Sequence, residues 1–413
     1  MLVRALVPPA RLLGRLSRLA GAGVGDTLPG RAVLFAAPDA LGRLSEGRTV
    51  ALVSGTNGKT TTTKLLAVAT ATSGVSVLSN ASGSNLARGL VSALLPGPRG
   101  ATAVLEVDEV ALPDAIARCR PRLVVLLNLS RDQLDRTSEV TWHVTRWGRA
   151  LTGSDAVVVA NADDPLVVAA VRTARPDDDR VVWVASGQPW RADAVTCPSC
   201  GSGWDLPAEQ QSWACGACGW RRPVPDWVLD DHVLHGPDGG SVPVQLLLPG
   251  RANASNAAMA AVAGTVLGVG LEDGLRAMAE VAEVAGRYLQ RRDGDRQLRL
   301  LLAKNPAGWL EALEQIARDE TRVLLALNAR PVDGIDPSWI WDVPFEQLAG
   351  REVVVTGERA ADLAVRLHYA GVGHQLVPGL EAAVAGLPAG HCDLVANYTA
   401  FVEARQLLTR SRS

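Results

Sequence analysis

The run Gly55-Thr56-Asn57-Gly58-Lys59-Thr60 constrains the fold of this chain more than any other feature. A β-branched apolar run over 48–56 leads into it, and helical spacing over 60–71 follows. A strand, a glycine turn and a helix in this order surround one point with backbone N–H groups, an arrangement that binds phosphate. In such a loop the Lys59 ammonium neutralises phosphate charge, and the Thr60 hydroxyl is placed for Mg²⁺. The sequence therefore predicts an ATP site at the end of a buried strand.

Lysine is almost absent from the rest of the chain, which strengthens this prediction. It occurs only at Lys59, Lys64 and Lys304, whereas arginine is spread along the sequence. A compact ammonium on a flexible stem suits a phosphate in a way that arginine does not match. The loop departs from the generic phosphate-binding pattern at Val53, where that pattern has glycine. The predicted ATP-binding residues of this segment are Gly55, Thr56, Asn57, Gly58, Lys59, Thr60 and Thr61.

The charge and hydropathy of the 413 residues exclude two classes of protein. A formal net charge of -2 argues against a dedicated nucleic-acid binder, which normally carries a basic excess. No apolar run reaches the roughly 18–20 residues that cross a bilayer, so we expect no transmembrane segment. Leu12, Leu13, Leu16 and Leu19 lie at helical spacing opposite arginines, which predicts a short amphipathic helix. This helix either packs on the protein or contacts a membrane surface.

Short apolar runs alternate with helical stretches on both sides of a Cys-rich region, as is typical of parallel α/β sheets covered on both faces. Strands are predicted at 103–107, 123–128, 156–160, 297–303, 322–327, 352–356 and 393–396, and helices at 253–267 and 272–284. A polar stretch at 290–295 is interpreted as the link between two domains. The predicted parts are an N-terminal helical segment (1–47), an ATP-binding domain (48–290) and a C-terminal Rossmann-like α/β domain (291–413).

Two Cys-x-x-Cys motifs lie in a region of changed composition between about 187 and 243. Cys197-Pro198-Ser199-Cys200 and Cys215-Gly216-Ala217-Cys218 can bring four thiolates tetrahedrally around Zn²⁺. Disulfides are the alternative, and they need an oxidising compartment for which the sequence has no signal. We therefore predict a zinc ribbon inserted at about 190–225, closed by four cysteines and covered by Trp213 and Trp220.

Five short segments downstream of the phosphate loop carry a family resemblance. They are Glu106 in Glu-Val-Asp-Glu, 128–136, Asn161-Ala162-Asp163-Asp164-Pro165, Asn253 with Asn256, and Gly286-Arg287. With the loop, and in this order, they resemble the Mur ligases and folylpolyglutamate synthases. The resemblance implies a Mur-ligase P-loop ATPase domain in which Glu106 and Thr60 bind Mg²⁺. It also implies that Arg287 reaches the nucleotide and that Asn253 and Asn256 face the adenine.

Three departures from typical Mur ligases narrow the chemistry that this resemblance implies. The phosphate loop begins at residue 55, which leaves no room for the uridine-nucleotide domain that precedes it in typical members. Gln133 replaces the motif histidine that binds a second metal ion. No lysine lies between Lys64 and Lys304, so the carbamylated lysine of the family has no equivalent. We therefore expect a one-metal site that makes an acyl phosphate.

Three C-terminal motifs refine the resemblance: 303–308 (Ala-Lys-Asn-Pro-Ala-Gly), 333–342 (Asp-Gly-Ile-Asp-Pro-Ser-Trp-Ile-Trp-Asp) and 397–399 (Asn-Tyr-Thr). Together with the Cys₄ insert they resemble one branch of the family, the synthetase subunit of lipid II isoglutaminyl synthase. The resemblance implies ATP-dependent amidation of the D-glutamate α-carboxylate of the lipid II stem peptide to D-isoglutamine, in the cytoplasm at the inner face of the membrane. The resemblance also implies that the ammonia comes from a GatD-like glutaminase, bound as a heterodimer. Asp336 is implied to complete the partner's Cys-His pair, with Asp333 and Asp342 as alternatives.

Two other functions remain open from the sequence. One is a Mur or folylpolyglutamate type of ligase that adds an amino acid, against which the missing lysine and the Cys₄ insert count. The other is a non-catalytic, nucleotide-dependent scaffold in cell-wall assembly. The intact Lys59, Thr60 and Glu106 count against a scaffold.

Overall fold

The structure is a computed structural model that describes residues 27–80, 83–131, 140–175, 179–187, 190, 193–204, 212–284, 287–319 and 322–410. The chain divides into two compact units. Unit 1 comprises the described residues of Met1–Leu129 and Val140–Ala282, and unit 2 those of Ser130–Glu139 and Glu283–Ser413. The predicted amphipathic helix around 12–19 and the motif residue Gln133 lie outside the described residues.

Unit 1 is built on one sheet. Its described strands are β1 (Thr49–Ser54), β2 (Val77–Ser79), β3 (Thr102–Glu106), β4 (Leu123–Leu126), β5 (Val157–Asn161), β6 (Val181–Ala185), β7 (Trp227–Asp230), β8 (Val233–His235) and β9 (Ser241–Pro243). They lie in the order β2-β3-β1-β4-β5-β6-β7-β8-β9, with parallel pairing up to β7 and an antiparallel edge of β8 and β9. The strand that leads into the phosphate loop, β1, lies between β3 and β4 and is buried from Val50 to Ser54, as expected inside a parallel sheet.

The helices of unit 1 cover this sheet. They are α1 (Leu28–Ala36), α2 (Ala40–Ser45), α3 (Lys59–Ala71), α4 (Ala87–Leu94), α5 (Leu112–Cys119), α6 (Val140–Thr152), α7 (Pro165–Ala174), α8 (Arg251–Val266) and α9 (Leu271–Ala279). Val33 and Leu41 of the first two helices are buried in the same apolar cluster as the strands, so this N-terminal part belongs to the core of unit 1. Helix α9 ends at Ala279, earlier than predicted, and Val281 and Val284 are buried in the segment after it.

Strands β7, β8 and β9 extend the sheet beyond the cysteine region, which the sequence did not predict. The chain rejoins the sheet at Asp226, whose N–H donates to the Trp183 carbonyl oxygen over 2.8 Å. Its carboxylate accepts the Trp183 N–H over 2.7 Å. The three strands are short and mostly partly exposed, so their sequence carries too little apolar alternation to be recognised. The region of changed composition therefore includes three strands of the main sheet, which follow the predicted ribbon of 190–225.

Unit 2 has its own sheet, in the order β10-β11-β15-β12-β13-β14. Its described strands are β10 (Tyr288–Asp293), β11 (Arg296–Leu302), β12 (Arg322–Ala326), β13 (Val353–Thr356), β14 (His374–Leu376) and β15 (Gly390–Ala396). Its helices are α10 (Pro306–Asp319), α11 (Ala360–Tyr369), α12 (Leu380–Ala385) and α13 (Tyr398–Arg410), with 3-10 helices at Ser338–Asp342 and Phe345–Leu348. One apolar cluster contains Trp309 and Phe345, and a second contains Phe401. The predicted Rossmann-like α/β domain is thus confirmed.

The interpretation of 290–295 as a linker is wrong. These residues form most of β10 and a tight turn into β11, with which β10 pairs in antiparallel fashion. Gly294 adopts φ +58° in that turn, a conformation that glycine tolerates without strain. The strand lies at the edge of the sheet, where polar side chains reach water, and its composition therefore looks like that of a loop.

A buried ion pair joins the neighbouring strands β11 and β15. Arg299 lies opposite Asp393 in the strand register. Its Nε donates to Oδ1 over 2.5 Å and its Nη2 donates to Oδ2 over 2.8 Å. Both side chains are almost inaccessible to solvent, so the two charges compensate each other inside unit 2.

The substitution Asp393→Asn should therefore destabilise unit 2 by about 3–5 kcal/mol, because it leaves the Arg299 guanidinium buried without its counter-charge. Hydrogen–deuterium exchange of peptides that cover β11 and β15 measures this effect and separates it from unit 1. The double variant Arg299→Met/Asp393→Leu removes both charges and should lose less protection than Asp393→Asn. Unchanged exchange in Asp393→Asn would contradict the assignment.

Candidate nucleotide site and cysteine cluster

The phosphate loop occupies the carboxyl end of β1, where two glycines permit close contacts. Gly58 has φ +81° and directly precedes α3. A Cβ atom added to Gly58 would lie 2.3 Å from Asn256 Oδ1, and one added to Gly55 would lie 2.9 Å from Leu127 Cβ. Thr60 and Thr61 are buried in the first turn of α3. The predicted loop is therefore a tightly surrounded turn at a helix N-terminus, the geometry that suits a phosphate.

Lys59 is folded back over its own loop and is almost fully buried. Its Nζ donates to the Gly55 carbonyl oxygen, to the Thr56 carbonyl oxygen at 3.1 Å and to Glu109 Oε2 at 3.0 Å. The backbone of Glu109 is fixed in turn, because Trp147 Nε1 donates to its carbonyl oxygen over 3.0 Å. The sequence analysis missed the role of Glu109, although this residue ends the same Glu-Val-Asp-Glu run that begins at Glu106.

Glu106 presents a buried carboxylate oxygen with no hydrogen-bond donor among the described residues. Its other oxygen, Oε1, accepts from Asn85 Nδ2 at 3.3 Å. Asn80 fixes the backbone of Glu106, since Oδ1 accepts its N–H and Nδ2 donates to its carbonyl oxygen, both over 2.8 Å. A buried carboxylate oxygen without a donor is costly, and an oxygen ligand of this kind suits Mg²⁺. Glu106 therefore has an oxygen that could hold a cation, which is the role that the family resemblance implies for it.

Asn128, the first residue of the predicted 128–136 motif, clamps the phosphate loop. Its Oδ1 accepts the Asn57 N–H at 2.8 Å and its Nδ2 donates to the Asn57 carbonyl oxygen at 3.2 Å. Its own carbonyl oxygen accepts the Thr56 N–H at 3.0 Å. The loop therefore has a defined shape that is set by the end of β4.

Asp164 of the Asn-Ala-Asp-Asp motif supports this clamp from the next strand. Its carboxylate accepts the N–H of Leu129 at 2.9 Å and caps α7 through the N–H groups of Leu166 and Val167. Burial raises the pKa of Asp164 to about 6, against the opposite effect of these three backbone donors. The motif is thus a structural brace between strand ends.

The two asparagines expected at the adenine have different contacts in unit 1. Asn256 Oδ1 accepts the Thr62 hydroxyl at 3.2 Å and lies against Gly58, so its amide faces the phosphate loop. Asn253 Nδ2 donates to the Pro249 carbonyl oxygen at 2.6 Å, at the start of its own helix. Arg287 belongs to unit 2, where its carbonyl oxygen accepts the Leu302 N–H.

The four predicted cysteines form one cluster in which all sulfur atoms lie within 4.8 Å of one another. The Cys197–Cys218 and Cys200–Cys215 Sγ distances are 3.8 and 3.7 Å. Four ligands at a Zn–S distance of about 2.3 Å in a tetrahedron have sulfur atoms about 3.8 Å apart. The donor set and its spacing therefore fit a tetrahedral metal ion.

The two halves of the cluster have the same backbone. The Gly201 N–H donates to the Cys197 carbonyl oxygen at 2.8 Å, and the Gly219 N–H donates to that of Cys215 at 2.9 Å. Both glycines have φ +73°. This repeated turn, which L side chains rarely adopt, explains why glycine follows each Cys-x-x-Cys motif.

Three tryptophan rings of the cysteine region pack against one another. Trp213 and Trp220, which the sequence analysis placed over the cysteines, lie with ring centroids 4.6 Å apart. Trp204 lies 5.6 and 5.7 Å from them and was not anticipated. Arg222, just beyond these rings, forms a buried ion pair of 2.6 Å between Nη2 and Asp163 Oδ1. The ribbon is therefore tied to the strand-end motif that supports the nucleotide loop.

The remaining cysteines are core residues. Cys119 and Cys392 are both buried. Burial raises the pKa of Cys119 to about 11 and that of Cys392 to about 12. Both therefore stay protonated near neutral pH and are poor nucleophiles.

The three acidic candidates of the C-terminal loop differ in their surroundings. Asp333 is buried, and its Oδ1 accepts the Thr399 N–H at 2.8 Å. Asp342 is paired with Arg131 at 3.1 Å between Oδ2 and Nη2. Asp336 is exposed, and its Oδ1 accepts the Ser338 N–H at 2.9 Å.

Comparison with known proteins identifies the fold. Residues 53–264 match the Mur ligase middle domain, and residues 302–401 match the MurT ligase C-terminal domain. The chain is similar to a pseudomurein peptide ligase type C from Methanothermus fervidus, with 19% identity and a TM-score of 0.68 over 88% of this chain and 79% of that one. It is also similar to MurF from Acinetobacter baumannii, with 16% identity and a TM-score of 0.67 over 92% and 80%. The predicted Mur ligase fold is confirmed.

Two relatives extend over most of the chain. Subunit MurT of lipid II isoglutaminyl synthase (glutamine-hydrolyzing) from Streptococcus pneumoniae is 31% identical over 95% of this chain and 94% of its own length. The same subunit from Staphylococcus aureus is 29% identical over 87% of each chain. The chain therefore belongs to the MurT family of ATP-dependent Mur ligases, as the sequence resemblance suggested. The Mur ligase family uses ATP and Mg²⁺.

The clamp at the phosphate loop leads to a direct test. Asn128→Ala removes both side-chain hydrogen bonds to Asn57, so the loop loses its preformed shape. We expect the affinity for Mg-ADP, measured by isothermal titration calorimetry, to fall about tenfold, equal to about 1.4 kcal/mol. Thr145→Ala, an exposed change on α6, is the control and should bind ADP normally. Unchanged ADP affinity in Asn128→Ala would show that the clamp is dispensable.

Proposed function

We propose that this protein activates the D-glutamate α-carboxylate of the lipid II stem peptide with ATP and converts it to D-isoglutamine. The observation that carries the proposal is the similarity to MurT subunits along almost the whole chain, combined with an intact phosphate loop. Lys59, Thr60 and Glu106 are all present and buried around that loop. A chain that had become a scaffold would not need to retain this costly set of buried charges.

The phosphate loop suggests how the first step proceeds. Lys59 gives up its bond to Glu109 when nucleotide phosphates enter and neutralises their charge instead. The Glu106 oxygen that has no donor among the described residues would hold Mg²⁺ together with the Thr60 hydroxyl, and this ion would supply positive charge at the transferring phosphoryl group. A substrate carboxylate oxygen attacks the γ-phosphorus, the bond to ADP breaks, and an acyl phosphate results.

Ammonia completes the reaction. Its nitrogen attacks the acyl carbon, the carbon–oxygen bond to phosphate breaks, and inorganic phosphate leaves with that oxygen while the nitrogen loses a proton. The resemblance to amino-acid-adding Mur ligases implies a carbamylated lysine that binds a second metal ion. No lysine lies between Lys64 and Lys304, which favours ammonia over an amino acid as the nucleophile.

The ammonia comes from a GatD-like glutaminase subunit that forms a heterodimer with this chain. The relatives are named as glutamine-hydrolysing synthase subunits, which supports such a partner. Asp336 is the acidic residue that best suits a role in the partner's triad, because it is exposed while Asp333 is buried and Asp342 is paired with Arg131. Its task would be to orient and charge-stabilise the partner's catalytic histidine.

The four clustered cysteines hold a structural Zn²⁺ in this proposal. Their sulfur spacing accords with a tetrahedral site. A site filled by four thiolates has no open position for a reacting group, so its contribution is to stabilise the ribbon.

The substrate implies where the protein acts. Among the described residues, no helix has both the length and the apolar composition to cross a membrane. A lipid-linked substrate with ATP as the energy source accords with action at the cytoplasmic face of the membrane.

A reconstituted assay separates this function from the two alternatives. The purified protein receives lipid II, Mg-ATP and ammonium, and the products are identified by mass spectrometry. Loss of one mass unit from the substrate, abolished by Lys59→Ala, supports the proposal. Incorporation of an amino acid identifies the adding ligase instead, and absence of ATP turnover identifies the scaffold.

Asp336→Asn provides the test of the partner's role. Addition of the glutaminase with glutamine should drive amidation by the unaltered chain, and Asp336→Asn should lower this glutamine-driven rate at least a hundredfold because the histidine loses its counter-charge. Ammonium-driven amidation should remain normal. Asp342→Asn is the matched control. Full glutamine-driven activity in Asp336→Asn would contradict the assignment of Asp336 to the partner's triad.

The metal assignment is tested by zinc content. Elemental analysis should find about one Zn²⁺ per chain. Cys215→Ser should lose most of this zinc and lower the temperature at which unit 1 unfolds, whereas Cys119→Ala, which changes a core cysteine, should keep it. Retention of full zinc by Cys215→Ser would refute the Cys₄ site.

A further inference from the structure

The loop that carries Asp336 is anchored on both sides of that residue by buried contacts. We propose that Asp333, Thr399 and Asn397 form a lock that positions the exposed Asp336 carboxylate for the partner's histidine. This inference rests on the proposed role of Asp336 in the glutaminase triad. It assigns to three further residues of this chain a positioning role in glutamine hydrolysis.

Asp333 ties the loop to the start of α13. Its Oδ1 accepts the Thr399 N–H at 2.8 Å, and its Oδ2 accepts the Thr399 hydroxyl. The Arg330 N–H also donates to Oδ2 at 3.3 Å, while the Asp333 N–H donates to the Arg330 carbonyl oxygen at 2.8 Å. Charge-assisted bonds of this kind are about twice as strong as neutral ones, so Asp333 is committed to holding the loop.

Asn397 fixes the upstream end of the same loop. Its Oδ1 accepts the Asn328 N–H at 3.0 Å, and its Nδ2 donates to the Asn328 carbonyl oxygen at 2.6 Å. Asn328 in turn accepts the Glu358 N–H on Oδ1 at 3.0 Å. Because Asn397 follows β15 directly and Asn328 lies just after β12, the loop leaves the sheet in one defined direction.

The downstream end is held by apolar packing. The Ser338 N–H bond to Asp336 opens a 3-10 helix whose Trp339 and Ile340 are buried in the core of unit 2. The Trp339 ring lies 6.4 Å from that of Trp309. Only a short segment from Gly334 to Pro337 therefore spans the distance between two fixed ends.

Two residues of that short segment form an exposed tip. Ile335 is 61% exposed, and Asp336 is exposed beside it. Gly334, with φ +85°, allows the sharp change of direction after the buried Asp333. Asp336 thus stands on a short tip whose base is rigid.

A rigid base matters because the triad would be completed across two chains. The third member of a triad must lie within hydrogen-bond reach of the histidine, and a displacement of about 1 Å can cost about 100-fold in rate. A residue on a mobile loop must become ordered when the partner binds, which costs free energy. A residue on a loop that is already fixed does not have this cost.

Thr399→Val tests the lock without adding volume. It removes the hydroxyl that donates to Asp333 and keeps the side-chain shape, whereas Thr399→Ser keeps the hydroxyl and serves as the matched control. We expect Thr399→Val to lower glutamine-driven amidation about tenfold and Thr399→Ser to stay within about twofold of the unaltered chain. The loss should fall on kcat for glutamine hydrolysis, with KM for glutamine and the affinity for the partner unchanged.

The outcomes distinguish this lock from the function on which it rests. Normal glutamine-driven activity in Asp336→Asn overturns the triad assignment itself. A strong loss in Asp336→Asn combined with normal activity in Thr399→Val overturns the lock alone. Equal losses with glutamine and with ammonium in Thr399→Val also overturn it, because they indicate a general disturbance of unit 2. Selective loss with glutamine, restored in Thr399→Ser, supports it.

Discussion

Asparagine side chains just beyond the strand ends fix the backbone of two regions, the candidate nucleotide site of unit 1 and the loop of unit 2 that carries Asp336. An amide group carries an acceptor and two donors, so it can replace a peptide unit where neighbouring strands diverge. After β2, Asn80 bonds both the N–H and the carbonyl oxygen of Glu106, and after β4, Asn128 does the same to Asn57. The same device follows β15 in unit 2. The loops that carry the chemistry depend on these clamps, because their backbone groups have left the sheet and need other partners.

Because these asparagine contacts fix the backbone, the phosphate loop can keep an unusual arrangement of buried charged side chains around it. Lys59 is fully engaged by Glu109 and by carbonyl oxygens of its own loop. Glu106 keeps one buried oxygen for which the described residues supply no donor. A buried carboxylate oxygen without a donor is costly, and this observation is why the proposed function assigns a cation to Glu106. A rigid backbone matters for this arrangement, since a flexible loop would turn the carboxylate towards water.

The parts of the fold that the sequence predicted are those with a strong local signal. The strand before the phosphate loop, helix α3 and the strands of both sheets that consist of apolar runs are confirmed, and so is the clustering of the four cysteines. Glu109 and Trp204 were missed because their roles arise from contacts with distant residues. Edge strand β10 was mistaken for a linker, because a strand that faces water has the composition of a loop.

By itself the sequence determined the family and the grouping of the four cysteines, because loop glycines, a retained lysine and paired cysteines act through local spacing. The tertiary structure alone decided which polar residues meet. It joined Lys59 to Glu109 and Asn128 to Asn57. It also separated the three acidic residues of the C-terminal loop, burying Asp333 and leaving Asp336 at the surface. The physical reason is that burial and hydrogen-bond pairing depend on which strand ends lie side by side, and this order follows from the folding of the whole sheet and not from any single segment.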